Sequence, residues 1–238
     1  MGWMGALFRS SIGRKATVAV TGLGMVLFLI GHMLGNLRAF EGPESLNSYA
    51  EFLRIEPPLL WTIRIGLLVL VLVHAFLTVT LTLENSAARP RKYVKAARVE
   101  STVASRTMIY GGIALALYVV YHILHFTTRS VHRTLVGNSY MKGGEAHVDV
   151  YANVVQSFQN PVISVIYIVA QVFLFLHLVH GVQSALRTLG VNHPTYVTMG
   201  RRIGIALALI ICVGFTLVPV GVLAGIIKPV LSTAGAPH

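Results

Sequence analysis

The chain of 238 residues contains little charge and almost no cysteine. Charged residues make up 11% of it, compared with about 25% in soluble domains. Because so few charges cannot cover a protein surface in water, most of this surface is expected to face lipid. The one cysteine, Cys212, excludes a disulfide within the chain and a zinc or iron–sulfur site held by several thiolates. We interpret Cys212 as a small apolar residue inside a membrane span.

Acidic residues are also scarce, with eight Asp and Glu in total and none deep in an apolar stretch. A proton-coupled or zinc-selective transporter would be expected to use buried carboxylates, so this scarcity disfavours that class. The net charge of +11 is compatible with nucleic-acid binding, but the basic residues cluster between the apolar stretches. That placement is typical of topology signals and headgroup contacts. The sequence contains no nucleotide-binding loop, catalytic triad or metalloprotease motif.

Five apolar stretches are long enough to cross a bilayer, which takes roughly 20 residues of helix. They cover residues 16–37, 59–83, 107–128, 161–186 and 203–227. None alternates with the period of two that a membrane strand requires, so we predict an all-α integral membrane bundle, with residues 1–238 forming one transmembrane domain. Pro161 suits the first turn of its helix, whereas Pro219 should kink the last one. The first apolar stretch is too long for a cleavable signal peptide and is retained as a span.

The connections differ in basic charge. Residues 1–15, 84–106 and 187–202 contain twelve of the nineteen Lys and Arg, and the opposite side holds six of the eight acids. The positive-inside rule then predicts a cytoplasmic N-terminus and an external C-terminus in a bacterial-type inner membrane. The most basic connection, 84–106, either contacts headgroups or docks a soluble partner. The long connection 130–159 is predicted to be a short surface helix plus coil.

Six of the ten histidines lie within the predicted spans, and ionisable residues inside a membrane usually have a function. Each one alone could simply bond to a neighbouring helix, but six on four successive spans make that explanation weak for the whole set. They are His32, His74, His122, His125, His177 and His180.

The depths of four of these histidines predict two pairs. At 1.5 Å per residue, His32 and His122 both lie roughly 25 Å above the cytoplasmic ends of their helices. His74 and His177 both lie roughly 15 Å above the cytoplasmic ends of theirs. A haem iron with two axial imidazoles requires one histidine from each of two facing helices at the same level. The sequence therefore predicts two b haems, stacked along the membrane normal.

His125 and His180 each follow a proposed ligand by three residues, so either could be the true ligand. Depth favours His122 and His177, and we expect His125 and His180 to bond a haem propionate or a quinone. The alternative for both is an interhelical hydrogen bond. Cations that could pair with propionates are Arg14 and Lys15 on the inner side, and Arg38, Arg64 and Arg129 on the outer side. Glycines could admit a flat macrocycle, namely Gly22, Gly24, Gly31, Gly35, Gly111, Gly112 and Gly181.

The segments around these histidines resemble one family. These segments are GHMLGN at His32, VHAFLTV at His74, YHILHF at His122 and HLVHGVQSALRTLG from His177. They are similar to the cytochrome b anchor of succinate:quinone oxidoreductase (succinate dehydrogenase/fumarate reductase), in its single-chain, five-helix, di-haem form. Two further segments also resemble this family, SSIGRKATVAVTGLG and LNSYAEFLR. The resemblance extends from Ser10 to about Arg202.

This resemblance implies that His32 and His122 ligate the outer haem and that His74 and His177 ligate the inner one. The family pattern H-x-x-x-G matches His177 to Gly181, which leaves His180 as a neighbour. It also implies a quinone substrate, menaquinone or ubiquinone, and two partners on the cytoplasmic face, a flavoprotein and an iron–sulfur protein. On the outer side, the candidates for a quinone site are Glu51 and Glu56. The alternative is that both are ordinary solvated loop acids. On the inner side, the candidates are Ser11 and Arg14.

Two other functions stay open at this point. The chain could be the haem b subunit of another quinone-linked complex, such as a hydrogenase, formate dehydrogenase or nitrate reductase. It could instead be a histidine-lined metal or haem transporter, although the lack of buried carboxylates counts against it.

Overall fold

The computed structural model describes residues 10–88 and 103–229, with side chains described from residue 108 onwards in the second range. Helices account for 83% of the described residues. Five of them are long and apolar enough to cross a membrane, which confirms the five predicted spans and indicates a multi-pass membrane protein. They are α1 (Ser11–Leu37), α3 (Pro57–Ala87), α4 (Val103–His122), α7 (Pro161–Thr188) and α8 (Pro194–Leu223).

Shorter elements connect these helices. A 3-10 helix (Arg38–Glu41) and α2 (Pro43–Ile55) lie between α1 and α3, and a π-helical turn (Ile123–Thr127) extends α4. The segment predicted as a short helix plus coil holds more structure: α5 (Arg133–Val136), strands β1 (Ser139–Lys142) and β2 (Glu145–Val148), and α6 (Val150–Gln159). The strands pair antiparallel across Gly143 and Gly144, whose φ angles of 60° and 83° are those of a type I′ turn.

Local signals explain where several helices begin. The hydroxyl oxygen of Ser10 accepts a hydrogen bond from the Gly13 amide at 2.9 Å and so caps α1. The side chain of Asn160 accepts from the Val162 amide at 3.0 Å, and Pro161 occupies the first position of α7, as predicted. Asp149 caps α6 in the same way through the Ala152 amide. These caps satisfy amides that have no partner inside their own helix.

The last span differs from its prediction at both ends. It begins at Pro194 rather than at residue 203, because a proline at the first position starts the helix before its apolar part does. It continues through Pro219 and ends at Leu223 rather than at 227. Gly225 follows with a φ of 69°, and the Ile226 amide bonds back to the Gly221 carbonyl at 2.9 Å. This is a Schellman motif, which stops the helix four residues early.

The helices form two compact units. Unit 1 draws on Met1–Ile30, Pro57–Gly111 and Phe175–Leu209. Unit 2 draws on Gly31–Glu56, Gly112–Leu174 and Ile210–His238. The helices α1, α4, α7 and α8 therefore contribute residues to both, and the prediction of one transmembrane domain stays a prediction.

Each unit has its own close packing. In unit 1, a Cβ on Gly24 would lie 3.3 Å from Leu70, so α1 and α3 approach closely there. Unit 2 has a buried apolar core that includes Ala39, Leu46, Val155, Phe158, Ile163 and Val222. Many large apolar side chains of the spans point outward instead, as expected for surfaces that face lipid, for example Leu72, Phe76 and Leu117.

Candidate functional site

Unit 1 contains one of the predicted histidine pairs. His74 in α3 and His177 in α7 have ring centroids 6.3 Å apart, with an angle of 58° between the ring planes. His180, one turn further along α7, is half-buried and makes no ring contact with His74 within the described structure. The geometry thus brings His74 together with His177 rather than with His180.

The hydrogen bonds of His74 identify its protonated nitrogen. Its Nδ1 lies 3.2 Å from the carbonyl oxygen of Val18 and 3.2 Å from the hydroxyl of Thr21, both in α1. A carbonyl can only accept, so Nδ1 carries the proton and the lone pair is on Nε2. This is the tautomer that a metal-binding histidine adopts when its second nitrogen is held by a backbone carbonyl.

Two further features of unit 1 suit a prosthetic group at this pair. The Nδ1 atom of His177 is buried without a hydrogen-bond partner among the described residues. A buried polar atom without a partner is costly, and it often marks a missing ligand. Gly22 in α1 lies against the imidazole of His74, where a Cβ would stand 3.2 Å from Cε1. A larger residue at position 22 would therefore displace the ring.

Unit 2 contains the other predicted pair. His32 in α1 and His122 at the end of α4 have ring centroids 5.8 Å apart and planes at 79°. Phe215 in α8 packs 5.7 Å from His32. The side-chain amide of Asn36 donates to the His32 carbonyl at 2.7 Å and lies 3.4 Å from its Nε2. His32 is therefore enclosed by groups from α1, α4 and α8.

Both separations fit one metal ion held between two imidazoles. Rings on opposite sides of a haem iron have centres about 6 Å apart, because each metal–nitrogen bond is about 2 Å and each ring centre lies about 1 Å behind its nitrogen. The observed 6.3 Å and 5.8 Å agree with that spacing. Among the described residues, no group of three or more His, Cys, Asp or Glu could hold a metal ion. A bis-histidine haem needs only two protein ligands, so the donors present fit the predicted group.

His125 differs from these four histidines. It lies in the π-helical turn after α4 and is fully buried. Its Nδ1 lies 3.0 Å from the Tyr167 hydroxyl and its Nε2 lies 3.1 Å from the Ser157 hydroxyl. Both nitrogens are therefore engaged with hydroxyls on other helices, which is the interhelical bonding that we gave as the alternative. A contact between His125 and a propionate or quinone stays a prediction.

Two of the predicted cations, Arg14 and Arg38, have partners of their own. Arg14 forms a two-pronged ion pair with Glu84, with N–O distances of 2.6 and 2.7 Å, and its buried Nε lacks a described partner. A propionate could meet Nε or displace Glu84. Arg38 donates to Ser45 at 3.2 Å and stacks over the Tyr49 ring at 5.1 Å.

The other residues predicted for the haem and quinone sites lie in different units. Lys15 and Ser11 are exposed near the start of α1, in unit 1 with the pair His74 and His177. Arg38 lies in unit 2 with the other pair. Arg64, in unit 1, lies over the Trp61 ring at 5.3 Å.

Glu51 and Glu56, the two acids predicted for the outer side, have different surroundings. Glu56 is exposed at the end of α2. Glu51 accepts hydrogen bonds from the Tyr140 hydroxyl and, at 2.6 Å, from the Lys142 ammonium, while His147 lies 3.1 Å away. These contacts tie α2 to the β1–β2 hairpin, and a direct role in quinone chemistry stays a prediction.

These contacts predict a pH dependence for the hairpin. Hydrogen bonds from Lys142 and Tyr140 hold the pKa of Glu51 below its usual range, so the carboxylate stabilises the folded hairpin above that range. The stabilisation should disappear as the pH falls through the lowered pKa of Glu51. Hydrogen exchange of the hairpin amides, corrected for intrinsic rates, should show protection at neutral pH that is lost in acid once this carboxylate is protonated.

The Glu51→Gln variant should show low protection at both neutral and acidic pH, because an amide cannot replace the ion pair. Glu145→Gln, at an exposed carboxylate of the same hairpin, is the matched control and should behave as the unmodified chain. Equal protection in Glu51→Gln and the unmodified protein would contradict the assignment.

The roles of Tyr167 and Ser157, the two hydroxyls that hold His125, were not predicted from the sequence. Their partners are set by how α4, α6 and α7 pack. The hairpin was not predicted either, although the paired glycines at positions 143 and 144 are a strong hairpin signal.

No family model, curated protein or solved structure matches this chain.

Proposed function

We propose that this chain is a membrane cytochrome b subunit that passes electrons between an iron–sulfur partner and membrane quinone through two bis-histidine b haems. In this proposal it anchors a succinate:quinone oxidoreductase, succinate dehydrogenase or fumarate reductase, in a bacterial-type inner membrane with its N-terminus in the cytoplasm. The observation that carries the proposal is the presence of one histidine pair in each compact unit, with ring centroids 6.3 and 5.8 Å apart.

The residues of this chain would hold and orient the haems. His74 and His177 would bind one haem, and His32 and His122 the other. When bound, a b haem supplies one-electron chemistry, whose potential depends on its ligands and their hydrogen bonds. Val18 holds the proton of His74 on Nδ1, which leaves Nε2 available to the iron. In a membrane, the apolar helices would keep water away from both pairs.

The partners follow from the resemblance and from charge. A flavoprotein would oxidise succinate or reduce fumarate, and an iron–sulfur protein would dock on the cytoplasmic face against the basic connections. The most basic of these, residues 84–106, lies largely outside the described residues. The chain itself would contribute no residue to succinate chemistry, but at least part of the quinone site.

Spectra of the purified complex test the proposal. Dithionite-reduced minus oxidised spectra should show the sharp alpha band of bis-histidine haem b, with about two haems per chain. The co-purifying subunits should include a flavoprotein with covalently bound flavin and an iron–sulfur protein. Absence of the alpha band would refute the haem assignment. A molybdenum or nickel subunit in place of the flavoprotein would assign the chain to another quinone-linked complex.

A further inference from the structure

The buried polar contacts of unit 2 converge on one hydroxyl, that of Tyr167 in α7. It lies 3.0 Å from Nδ1 of His125 and 3.5 Å from Nδ1 of His122. The other nitrogen of His125 lies 3.1 Å from the hydroxyl of Ser157 in α6. The four side chains therefore form a continuous series of contacts from a proposed haem ligand, His122, to the last turn of α6.

The positions of the protons give these hydrogen bonds a direction. If His122 binds iron through Nε2, its proton must lie on Nδ1, which then donates to the oxygen of Tyr167. A tyrosine has one proton, so its hydroxyl donates onward to Nδ1 of His125. The proton of His125 must then be on Nε2, from which it donates to Ser157. Each bond has one donor and one acceptor, so this single arrangement satisfies both imidazoles.

The surroundings of Tyr167 keep its hydroxyl at this position. Its ring is buried and packs edge-on against Phe158 at 5.0 Å and against Tyr118 at 5.3 Å between centroids. Phe126 stacks on the other histidine, His125, at 4.1 Å. Close aromatic packing on several sides leaves the Tyr167 hydroxyl little freedom to leave the two histidines.

We propose that Tyr167 is a positioning residue for the outer haem: its hydroxyl accepts the Nδ1 proton of His122, sets the orientation of that ring and increases its electron donation to the iron. The inference rests on the proposed function. An acceptor on the far nitrogen makes an imidazole a more basic ligand, which stabilises the oxidised metal. Loss of the acceptor should therefore raise the reduction potential of this haem and of no other.

The test is a redox titration of Tyr167→Phe in the whole complex. The substitution removes one hydroxyl and keeps the ring, so both haems should remain bound. The equilibrium constant for reduction of the outer haem should increase about fivefold, which is the value of one hydrogen bond. This corresponds to a rise in potential of about 40 mV, at 59 mV per tenfold change. The inner haem should keep its potential. The low-field electron paramagnetic resonance signal of the outer haem should move as its ligand ring reorients.

Tyr118→Phe is the matched control. Its ring lies 6.0 Å from that of His122, but within the described structure its hydroxyl bonds neither histidine, so the potential should not change. Unchanged potential and resonance in Tyr167→Phe, with both haems bound, would overturn the inference and leave the proposed function intact. An unmodified complex without haem would instead overturn the proposed function.

Ser157→Ala provides a second measurement that does not touch His122. Without its acceptor, His125 holds Tyr167 less firmly, so the potential of the outer haem should rise by a smaller amount. If Tyr167→Phe does not assemble, Ser157→Ala decides. A higher potential of the outer haem supports the role of Tyr167, and an unchanged potential refutes it.

Discussion

Replacing His177 with alanine is expected to remove one haem and leave the other with its spectrum and potential unchanged. The imidazole of His177 is the group placed 6.3 Å from that of His74, and its Nδ1 has no described partner inside the protein. A haem left with one axial histidine in an apolar bundle loses most of its binding. The haem content of the purified complex should therefore fall by about half, as measured by pyridine haemochrome.

His180→Ala is the matched control, since His180 lies one turn away on the same helix. It should keep both haems. If His180→Ala loses the haem while His177→Ala keeps it, the ligand has been assigned to the wrong histidine. In unit 2, His122→Ala or His32→Ala should remove the outer haem and leave the spectrum of the inner one.

The second large effect is expected from a residue that binds nothing. Gly22→Leu should prevent haem binding at His74 and His177 although both ligands remain. Even the Cβ of an alanine at position 22 would lie 3.2 Å from Cε1 of His74, closer than ordinary contact. A leucine adds three carbons beyond it, so the imidazole must move away from its position opposite His177. The inner alpha band should disappear, while that of the outer haem persists.

Gly66→Leu in α3 is the control, because a Cβ there would meet nothing within 4 Å. It adds the same side chain in the same unit and should leave both haems bound. Retention of the inner haem in Gly22→Leu would mean that this close approach does not constrain the ligand. Gly22→Ala should have an effect between those of the unmodified protein and Gly22→Leu. It should bind the inner haem more weakly and shift its potential.

Hydropathy and depth were sufficient to predict the five spans and which histidines come together. The reason is physical: a bilayer sets the length of each span, and 1.5 Å per residue converts position into height. The same reasoning failed where hydropathy carries no information. The segment from Pro194 to Arg202 is too polar to count as part of a span, yet it is helical because Pro194 starts the helix.

The tautomer of His74 and the bonds of His125 could not be predicted from the sequence. They depend on which carbonyl or hydroxyl of a neighbouring helix faces each ring, as Val18 and Ser157 do. Helix rotation decides that, and hydropathy constrains rotation weakly when lipid surrounds the bundle. The glycines were equally ambiguous: Gly22 contacts His74, whereas Gly31 has open space within 4 Å.

The π-helical turn that follows His122 has a consequence for how this chain tolerates changes in length. The Thr128 amide bonds to the Ile123 carbonyl five residues back, at 2.9 Å, so this turn holds one residue more than an α-helical turn. Elsewhere in a span, deleting one residue would rotate everything beyond it by about 100°. Here a deletion would convert the turn to an ordinary α-helical one. Loss of one residue at this point would therefore leave His122 and the residues beyond the turn in the same orientation relative to each other.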